Sequence, residues 1–331
     1  MLRRTLLAAA AALAISGTAA LAEDKPAIVF DIGGKFDKSF NESMFNGAEK
    51  FKAETGVAYG EFEIANEAQR EQAIRNFADQ GYSPIIAAGF AQAAALEKVA
   101  KEYPDLKFAI VDMVVDLPNV QSIVFKEHEG SYLVGLMAGM ASKSGKVGFV
   151  GGMDIPLIRK FGCGYAQGVK AAKADATVIQ NMTGDTGAAW NDPVKGGEIT
   201  KGQMAQGADV VYAAAGATGL GVLQAAADGG ALSIGVDANQ NYLHPGKVLT
   251  SMLKRVDVAV FSVMKGGNAG FKPGIQVLGL AEDGVGYAMD DNNKPLVSAD
   301  MLAAVEKAKA DIIAGTIKVH DYTADNTCPV Q

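Results

Sequence analysis

Basic residues, histidines and cysteines are scarce in this chain of 331 residues. It contains 30 lysines and arginines against 37 aspartates and glutamates, with three histidines and two cysteines, and its formal net charge is −7. Nucleic-acid binders carry a basic footprint, which this composition lacks. His128, His244 and His320 stand at no metal-ligand spacing and beside no strand-end serine, so no nucleophile-and-base pair is visible. We therefore predict no catalytic residue, no metal, no cofactor and no nucleic-acid partner.

Long apolar runs are absent after the first 22 residues. The opening MLRRTLLAAAAALAISGTAALA places two arginines before an apolar run that ends in a small-x-small pattern. This order predicts a signal peptide over residues 1–22, with cleavage before Glu23. No cysteine lies near the cut, so lipid attachment is not expected there. The run SYLVGLMAGMA, from Ser131, is too short to span a membrane and predicts a buried helix. We expect a soluble protein outside the cytoplasm.

The two cysteines are Cys163 and Cys328. In an oxidising compartment they could form a disulfide that fixes the C-terminal tail to the body of the protein. One buried thiol and one free thiol is the alternative, because spacing alone cannot show whether two cysteines meet. We favour the disulfide.

Short apolar runs alternate with amphipathic stretches from residue 26 onward. AIVFDIG, GEFEIA, PIIAAG and KFAIVDM are separated by helical patterns, and KVGFVGGM, TVIQNMT, ADVVYAAAG and LSIGVDAN repeat the rhythm. Runs that are apolar throughout are typical of parallel strands covered on both faces. The pattern predicts two doubly wound α/β lobes that enclose a cleft. We assign residues 23–117 and 247–273 to lobe 1, and 118–246 and 274–331 to lobe 2.

The residues that follow each strand form the ligand crevice in such open sheets. In this chain they include aromatic, carboxylate, amide and ammonium side chains. The predicted ligand-binding residues are Asp31, Phe40, Asn41, Phe90, Asp112, Trp190, Gly216, Asp237 and Lys254. We also expect Ser39 to cap the first helix in a capping box with Glu42, which would turn Phe40 and Asn41 toward the crevice.

This mixture of side chains favours a flat, neutral ligand that carries hydroxyl groups. Aromatic rings bury a planar molecule between their faces, while carboxylates accept hydrogen bonds from its hydroxyl or N–H groups and Lys254 donates. A nucleoside fits this description, whereas a free phosphate would meet too much negative charge. GCGYAQG and GATGLG have the wrong context and glycine order for a dinucleotide fingerprint, so we interpret their glycines as turn and helix-packing residues.

Several segments together resemble the basic membrane protein family, the purine nucleoside receptor type of periplasmic binding protein. They are DIGGKFDKSFNESMFNG, IVDM, GGMDIPLIRKFGCGYAQG, WNDPVKG, YAAAGATGLGVLQAA, IGVDANQ and TSMLKRVDVAV, and they cover essentially the whole mature chain. The resemblance implies a bilobed type I periplasmic-binding-protein fold with a hinge, and a protein that delivers ligand to the transmembrane subunits of an ABC permease. It also implies a binding protein rather than an enzyme. We expect a monomer in a Gram-negative periplasm.

The resemblance also implies individual roles. Phe40 would stack on the purine, and Asn41, Asp31 and Asp112 would hydrogen-bond to its edge. Asp237 and Lys254 would hold the ribose hydroxyls beneath a loop at Gly216. We propose Trp190 as the opposite aromatic wall, with Phe161 and Tyr165 as alternatives.

Two rival functions use the same cleft. A receptor for a sugar or an autoinducer-like polyol would call for arginines at strand ends, and Arg159 is the sole arginine suggested by the sequence of lobe 2. A secreted nucleoside hydrolase would need a carboxylate pair, and Asp31 with Asp37 is the place to look. Breaks in the strand pattern at residues 114–119 and 246–250 suggest hinges.

Overall fold

The computed structural model describes residues 24–330, so the predicted signal peptide at 1–22 lies outside the described residues. The first lobe begins with alternating strands and helices, and its strands are buried except for the exposed edge strand β2. These elements are β1 (Ala27–Phe30), α1 (Phe40–Thr55), β2 (Gly60–Glu63), α2 (Arg70–Asp79), β3 (Ile85–Ala87), α3 (Ala93–Glu102), β4 (Phe108–Val111) and β5 (Val120–Phe125).

The second lobe repeats this alternation after a long helix. Its elements are α4 (Glu127–Ala141), β6 (Lys146–Met153), α5 (Pro156–Ala172), β7 (Thr177–Gly184), α6 (Pro193–Ala205), β8 (Val210–Ala214), α7 (Thr218–Asp228), β9 (Leu232–Asp237) and β10 (Val248–Lys254). The chain then adds α8 (Val256–Gly266), β11 (Gly274–Leu278), β12 (Val285–Tyr287) and α9 (Ala299–Ile313).

Each lobe contains one six-stranded sheet. The first has the order β11-β5-β4-β3-β1-β2 and is parallel throughout. The second has the order β12-β10-β9-β8-β6-β7 and is parallel except for β12, which runs antiparallel to β10. Helices cover both faces of parallel sheets of this kind, and the predicted two-lobed α/β architecture is confirmed.

The predicted lobe boundaries are wrong at three strands. β5 was expected in lobe 2 but pairs with β4 in the first sheet, and β10 was expected in lobe 1 but pairs with β9 in the second sheet. β11 was also expected in lobe 2, yet it pairs with β5 in the first sheet. An apolar run predicts a strand but does not show which sheet edge the strand will join.

The chain crosses between the lobes at three neighbouring places, near residues 126, 255 and 279. The Lys126 N–H donates to the Leu278 carbonyl at 2.9 Å, and the Arg255 N–H donates to the Gly284 carbonyl at 2.9 Å. The hinge segments expected at 114–119 and 246–250 instead lie next to β5 and β10 within single sheets. The connections between lobes are therefore bundled at one edge, away from the segments that the sequence suggested.

Helices α4 and α5 approach closely because glycines line their contact. A Cβ at Gly168 would lie 2.0 Å from the Tyr132 carbonyl oxygen, and one at Gly135 would lie 2.2 Å from the carbonyl oxygen of Tyr165. Gly168 closes the GCGYAQG segment, and its packing role agrees with the interpretation of that motif. Helix α5 also carries Cys163, which forms a disulfide with Cys328, their Cα atoms being 5.6 Å apart.

Among the described residues, no helix is both long enough and apolar enough to span a membrane.

Candidate functional site

A cleft of about 610 Å³, partly open to solvent, lies between the carboxyl ends of the two sheets. All of the predicted ligand-binding residues line it: Asp31, Phe40, Asn41, Phe90, Asp112, Trp190, Gly216, Asp237 and Lys254. The lining is completed by Ile32, Asp37, Gly89, Leu157, Ile158, Phe161, Ala214, Ala215 and Val236.

Asn41 and Asp31 are fixed to each other at the end of β1. The Asn41 side chain accepts a hydrogen bond from the Asp31 N–H and donates one to the Asp31 carbonyl, both at 3.2 Å. The Asp31 carboxylate in turn accepts from Arg70 at 3.0 Å and from the Ile32 N–H at 2.8 Å. Each side chain retains hydrogen-bonding capacity toward the cleft, since an amide has two donors and a carboxylate accepts several bonds.

Asp37, and not Ser39, caps helix α1. Its carboxylate accepts from the backbone N–H groups of Ser39 (2.8 Å), Asn41 (3.0 Å) and Glu42 (3.1 Å). Ser39 occupies the N-cap position but its side chain makes no capping bond. The predicted capping box of Ser39 and Glu42 is therefore wrong, because a carboxylate two residues earlier satisfies these donors. The Ser39 hydroxyl is left free to bond elsewhere.

Aromatic side chains reach the cleft from both lobes. Phe40 lies in the first turn of α1 and Phe90 in a short 3₁₀ helix after β3, while Phe161 projects from α5. Trp190 ends a 3₁₀ helix after β7 and lies so close to Gly152 that a Cβ there would be 2.2 Å from its ring. Tyr165, the other alternative for the second aromatic wall, is fully buried and does not line the cleft.

Lys254, at the end of β10, is the centre of a buried charge cluster. Its Nζ lies 2.6 and 2.7 Å from the two oxygens of Asp112 and 3.0 Å from Glu127 Oε1. The second oxygen of Glu127 lies 2.8 Å from Lys160 Nζ. The Lys254 ammonium also lies 5.2–5.5 Å from the centres of the Phe40, Phe125 and Phe161 rings. Rings at this distance attract a cation electrostatically.

Among the described residues, the polar contacts that join the lobes across the cleft include the following three. One is the Lys254–Asp112 ion pair, since β10 and β4 belong to different sheets. The Ser39 hydroxyl donates to Asp237 Oδ2 at 2.5 Å, and the Gln240 side chain donates to the Lys38 carbonyl at 2.9 Å. These contacts hold a closed arrangement of the two lobes.

The four central ionisable groups respond differently to burial. Burial raises the pKa of Asp112 and that of Asp237 to about 6, although the nearby Lys254 ammonium opposes the shift. Both aspartates also adopt left-handed backbone conformations, with φ of 71° and 63°. Burial alone would raise the pKa of Glu127, but the ammonium groups of Lys254 and Lys160 hold it below its ordinary value. Burial alone would lower the pKa of Lys254, but the surrounding carboxylates, Asp112 foremost, hold it above its ordinary value.

Sequence reasoning missed Glu127, Lys160 and the hydroxyl of Ser39 as parts of this site. Glu127 is the second residue after β5, so the strand-end rule would have found it if VQSIVF had been recognised as a strand. Lys160 lies inside α5 and Ser39 bonds across 198 positions of sequence. The sequence around Lys160 and around Ser39 therefore gives no indication of these contacts.

The carboxylates considered for a hydrolase are both held by neighbouring groups. Asp31 is paired with Arg70, and Asp37 is occupied by three backbone N–H groups of the α1 cap. Within residues 24–330, no group of histidine, cysteine, aspartate and glutamate side chains is arranged to hold a metal ion. Arg159, the arginine considered for a sugar site, pairs with Asp154 at 2.7 Å and does not line the cleft.

Two lobes built on largely parallel sheets, with a cleft at their strand ends that is lined by aromatic and polar side chains, have the architecture of a bilobed binding protein. Residues 25–323 match the model of the Bmp family, the PnrA-like substrate-binding proteins of ABC transporters. The chain therefore belongs to this family, as its sequence motifs indicated.

Individual relatives agree with this assignment over most of their length. The CD4+ T-cell-stimulating antigen of Listeria monocytogenes is 38% identical over 319 residues, which cover 88% of this chain and 87% of that protein. The ABC transporter nucleoside-binding protein BmpA of Lactococcus lactis is 34% identical over 322 residues, covering 89% and 88%. A solute-binding protein of an ABC transporter system from Aeropyrum pernix K1 superimposes with a TM-score of 0.83 at 30% identity, covering 90% and 93%.

Proposed function

We propose that this protein is a soluble periplasmic receptor that captures purine nucleosides or nucleobases and delivers them to the permease of an ABC importer. The observation that carries the proposal is the composition of the cleft. Aromatic rings from both lobes line it, together with carboxylates, an amide and the Lys254 ammonium, which lies close to the rings of Phe40 and Phe161. A flat ring system with a hydroxyl-bearing sugar matches both parts.

The aromatic part of the cleft would hold the base. Phe40 stands on the first lobe, and Trp190 and Phe161 stand on the second, so closure would bring aromatic surface to a purine from two directions. Stacking of a base on an aromatic side chain contributes about 1–3 kcal/mol and tolerates different bases. Phe161 is almost completely buried, at 3% exposure, whereas Trp190 is only partly buried, so we assign the opposite wall to Trp190.

The polar part of the cleft would read the edge of the base and the sugar. Asp31 and Asn41 are held in place by their mutual hydrogen bonds and adjoin Phe40, so we assign them to the base edge together with Asp112. Asp237 and Lys254 come from the second lobe and would hold the ribose hydroxyls. The name of the Lactococcus lactis relative, a nucleoside-binding protein, supports this ligand class.

The lobes would close on the ligand about the three crossings near residues 126, 255 and 279. Hinge closure of this type moves two rigid lobes through changes in a few connecting residues. We expect a monomer, and we expect export through the N-terminal segment 1–22.

A thermal-shift panel tests the ligand class. Adenosine, guanosine, inosine and adenine should each be compared with ribose and with a mixture of amino acids, since a ligand that binds only the folded state raises Tm. We expect a rise with at least one purine and none with the other compounds. A rise with ribose or another polyol alone would refute the purine assignment. Release of free base from inosine during incubation would instead identify a hydrolase.

A further inference from the structure

Glu127 is a completely buried carboxylate that stands behind the cleft and not in it. It is the first residue of α4, directly after the crossing at Lys126, and its side chain is 1% exposed. It does not line the cleft. Its two oxygens are divided between two ammonium groups, at 3.0 Å from Lys254 Nζ and 2.8 Å from Lys160 Nζ. Lys160 also donates to the Phe125 carbonyl at 2.9 Å, which fixes this arrangement to the end of β5.

Lys254 has two carboxylate partners that belong to different lobes. Asp112 follows β4 in the first sheet, so separation of the lobes would break its ion pair with Lys254. Glu127 lies on α4, which packs against β10 and α5 of the second lobe, and therefore moves with Lys254. When the lobes separate, Asp112 is withdrawn while Glu127 remains.

A buried ammonium without a partner is unfavourable. Lys254 is only 2% exposed in the closed arrangement, and Glu127 is the carboxylate partner that lies in the same lobe and can hold it in place. An ammonium has three N–H donors. The Lys254 ammonium donates one hydrogen bond to Asp112 and is paired by charge with Glu127, and because Lys254 also lines the cleft, it can donate to a ligand there.

We propose that Glu127 is the positioning residue for Lys254, and that through it Glu127 sets the affinity for the hydroxyl groups of the bound nucleoside. This inference rests on the proposed function. It extends that function because it assigns ligand selectivity to a side chain that never touches the ligand.

The test is a thermodynamic cycle between one substitution and one change in the ligand. Glu127→Gln keeps the size of the side chain and removes its charge, and 2′,3′-dideoxyadenosine keeps the base and the 5′-hydroxyl of adenosine but lacks the 2′- and 3′-hydroxyls. The Kd of each ligand is measured by calorimetry with wild-type protein and with the variant. We expect the wild type to prefer adenosine by about tenfold or more, as a charge-assisted hydrogen bond would give. This preference should fall toward parity in Glu127→Gln.

Glu129→Gln is the matched control. Glu129 lies in the same helical turn, but its carboxylate accepts from the Leu280 N–H and pairs with Lys126, and it makes no contact with Lys254. This variant should keep the wild-type preference. If Glu127→Gln does not fold, Glu127→Asp gives the same comparison, because it keeps the charge but withdraws it from Lys254.

Equal loss of affinity for both ligands, or no change for either, would show that Glu127 has a merely structural role and overturn the inference. Binding of adenine but not of adenosine by the wild type would also overturn it, while the proposed function would stand. Binding of no purine at all would overturn both.

Discussion

Replacing Phe40 with alanine tests the aromatic half of the cleft. Phe40 is partly buried at the start of α1, lines the cleft and lies 5.3 Å from the Lys254 ammonium. If a purine stacks on its ring, the alanine variant should lose about 1–3 kcal/mol of binding free energy. This loss corresponds to an increase in Kd of about 5- to 160-fold. Calorimetry with the preferred purine measures this change. Phe40→Leu retains apolar bulk without the flat face and should fall between alanine and the wild type.

Phe36→Ala is the matched control for this substitution. Phe36 belongs to the same loop, is 62% exposed and does not line the cleft, so its removal should leave the affinity unchanged. The circular dichroism spectrum and Tm of each variant show whether it folds. An unchanged Kd for a folded Phe40→Ala protein would refute stacking and would mean that Phe40 only packs the first turn of its helix.

Two further predictions concern stability. Burial raises the pKa of Asp237 to about 6 from an ordinary value of 3.8. Between these two values the folded state binds more protons than the unfolded state, so this group makes stability decrease as pH rises from about 4 to about 6, by about 3 kcal/mol at most. Asp237→Asn should therefore be more resistant to urea than the wild type at pH 7 but not at pH 4, and equal gains at both pH values would contradict the assignment. The Cys163–Cys328 disulfide closes a sequence separation of 165 residues, for which the chain-entropy model gives about 5 kcal/mol. The variant with serine at both Cys163 and Cys328 should unfold at a lower urea concentration than the oxidised wild type. Coincident unfolding curves would show that the disulfide does not contribute to stability.

The lining of the cleft could be predicted from sequence because it depends on local order. Asp31, Asp112 and Asp237 each stand at the end of a strand, and parallel strands bring their carboxyl ends to one edge of the sheet. Locating the strands was therefore enough to locate these side chains. The same rule placed Phe90 and Trp190, which follow β3 and β7.

The failures share a different physical cause. β5, VQSIVF, contains Gln121 and Ser122, which are buried yet polar, so the segment did not stand out as an apolar run. β11 pairs with β5 alone and is largely exposed, which gave it no pattern of burial. Which sheet an edge strand or a crossing strand joins depends on the open positions that remain when the rest of each sheet has formed. The local sequence of the strand carries no information about those positions.

The cap of α1 shows how tertiary contacts can redirect a local motif. Ser39 and Glu42 have the spacing of a capping box, but Asp37 satisfies the backbone donors and leaves the Ser39 hydroxyl to bond Asp237 of the other lobe. The local pattern identified where the helix begins. The partner of the hydroxyl was decided by a residue 198 positions away.

The sequence by itself determined the alternation of strands and helices, the two lobes, the family and the residues that line the cleft, because each of these follows from local patterns or from motifs. Only the tertiary structure decided which sheet receives β5, β10 and β11, where the lobes are connected, and how Lys254 is shared between Asp112 and Glu127. Those features depend on distances between residues far apart in the chain. They are fixed when the lobes pack, and they determine which charges face a ligand.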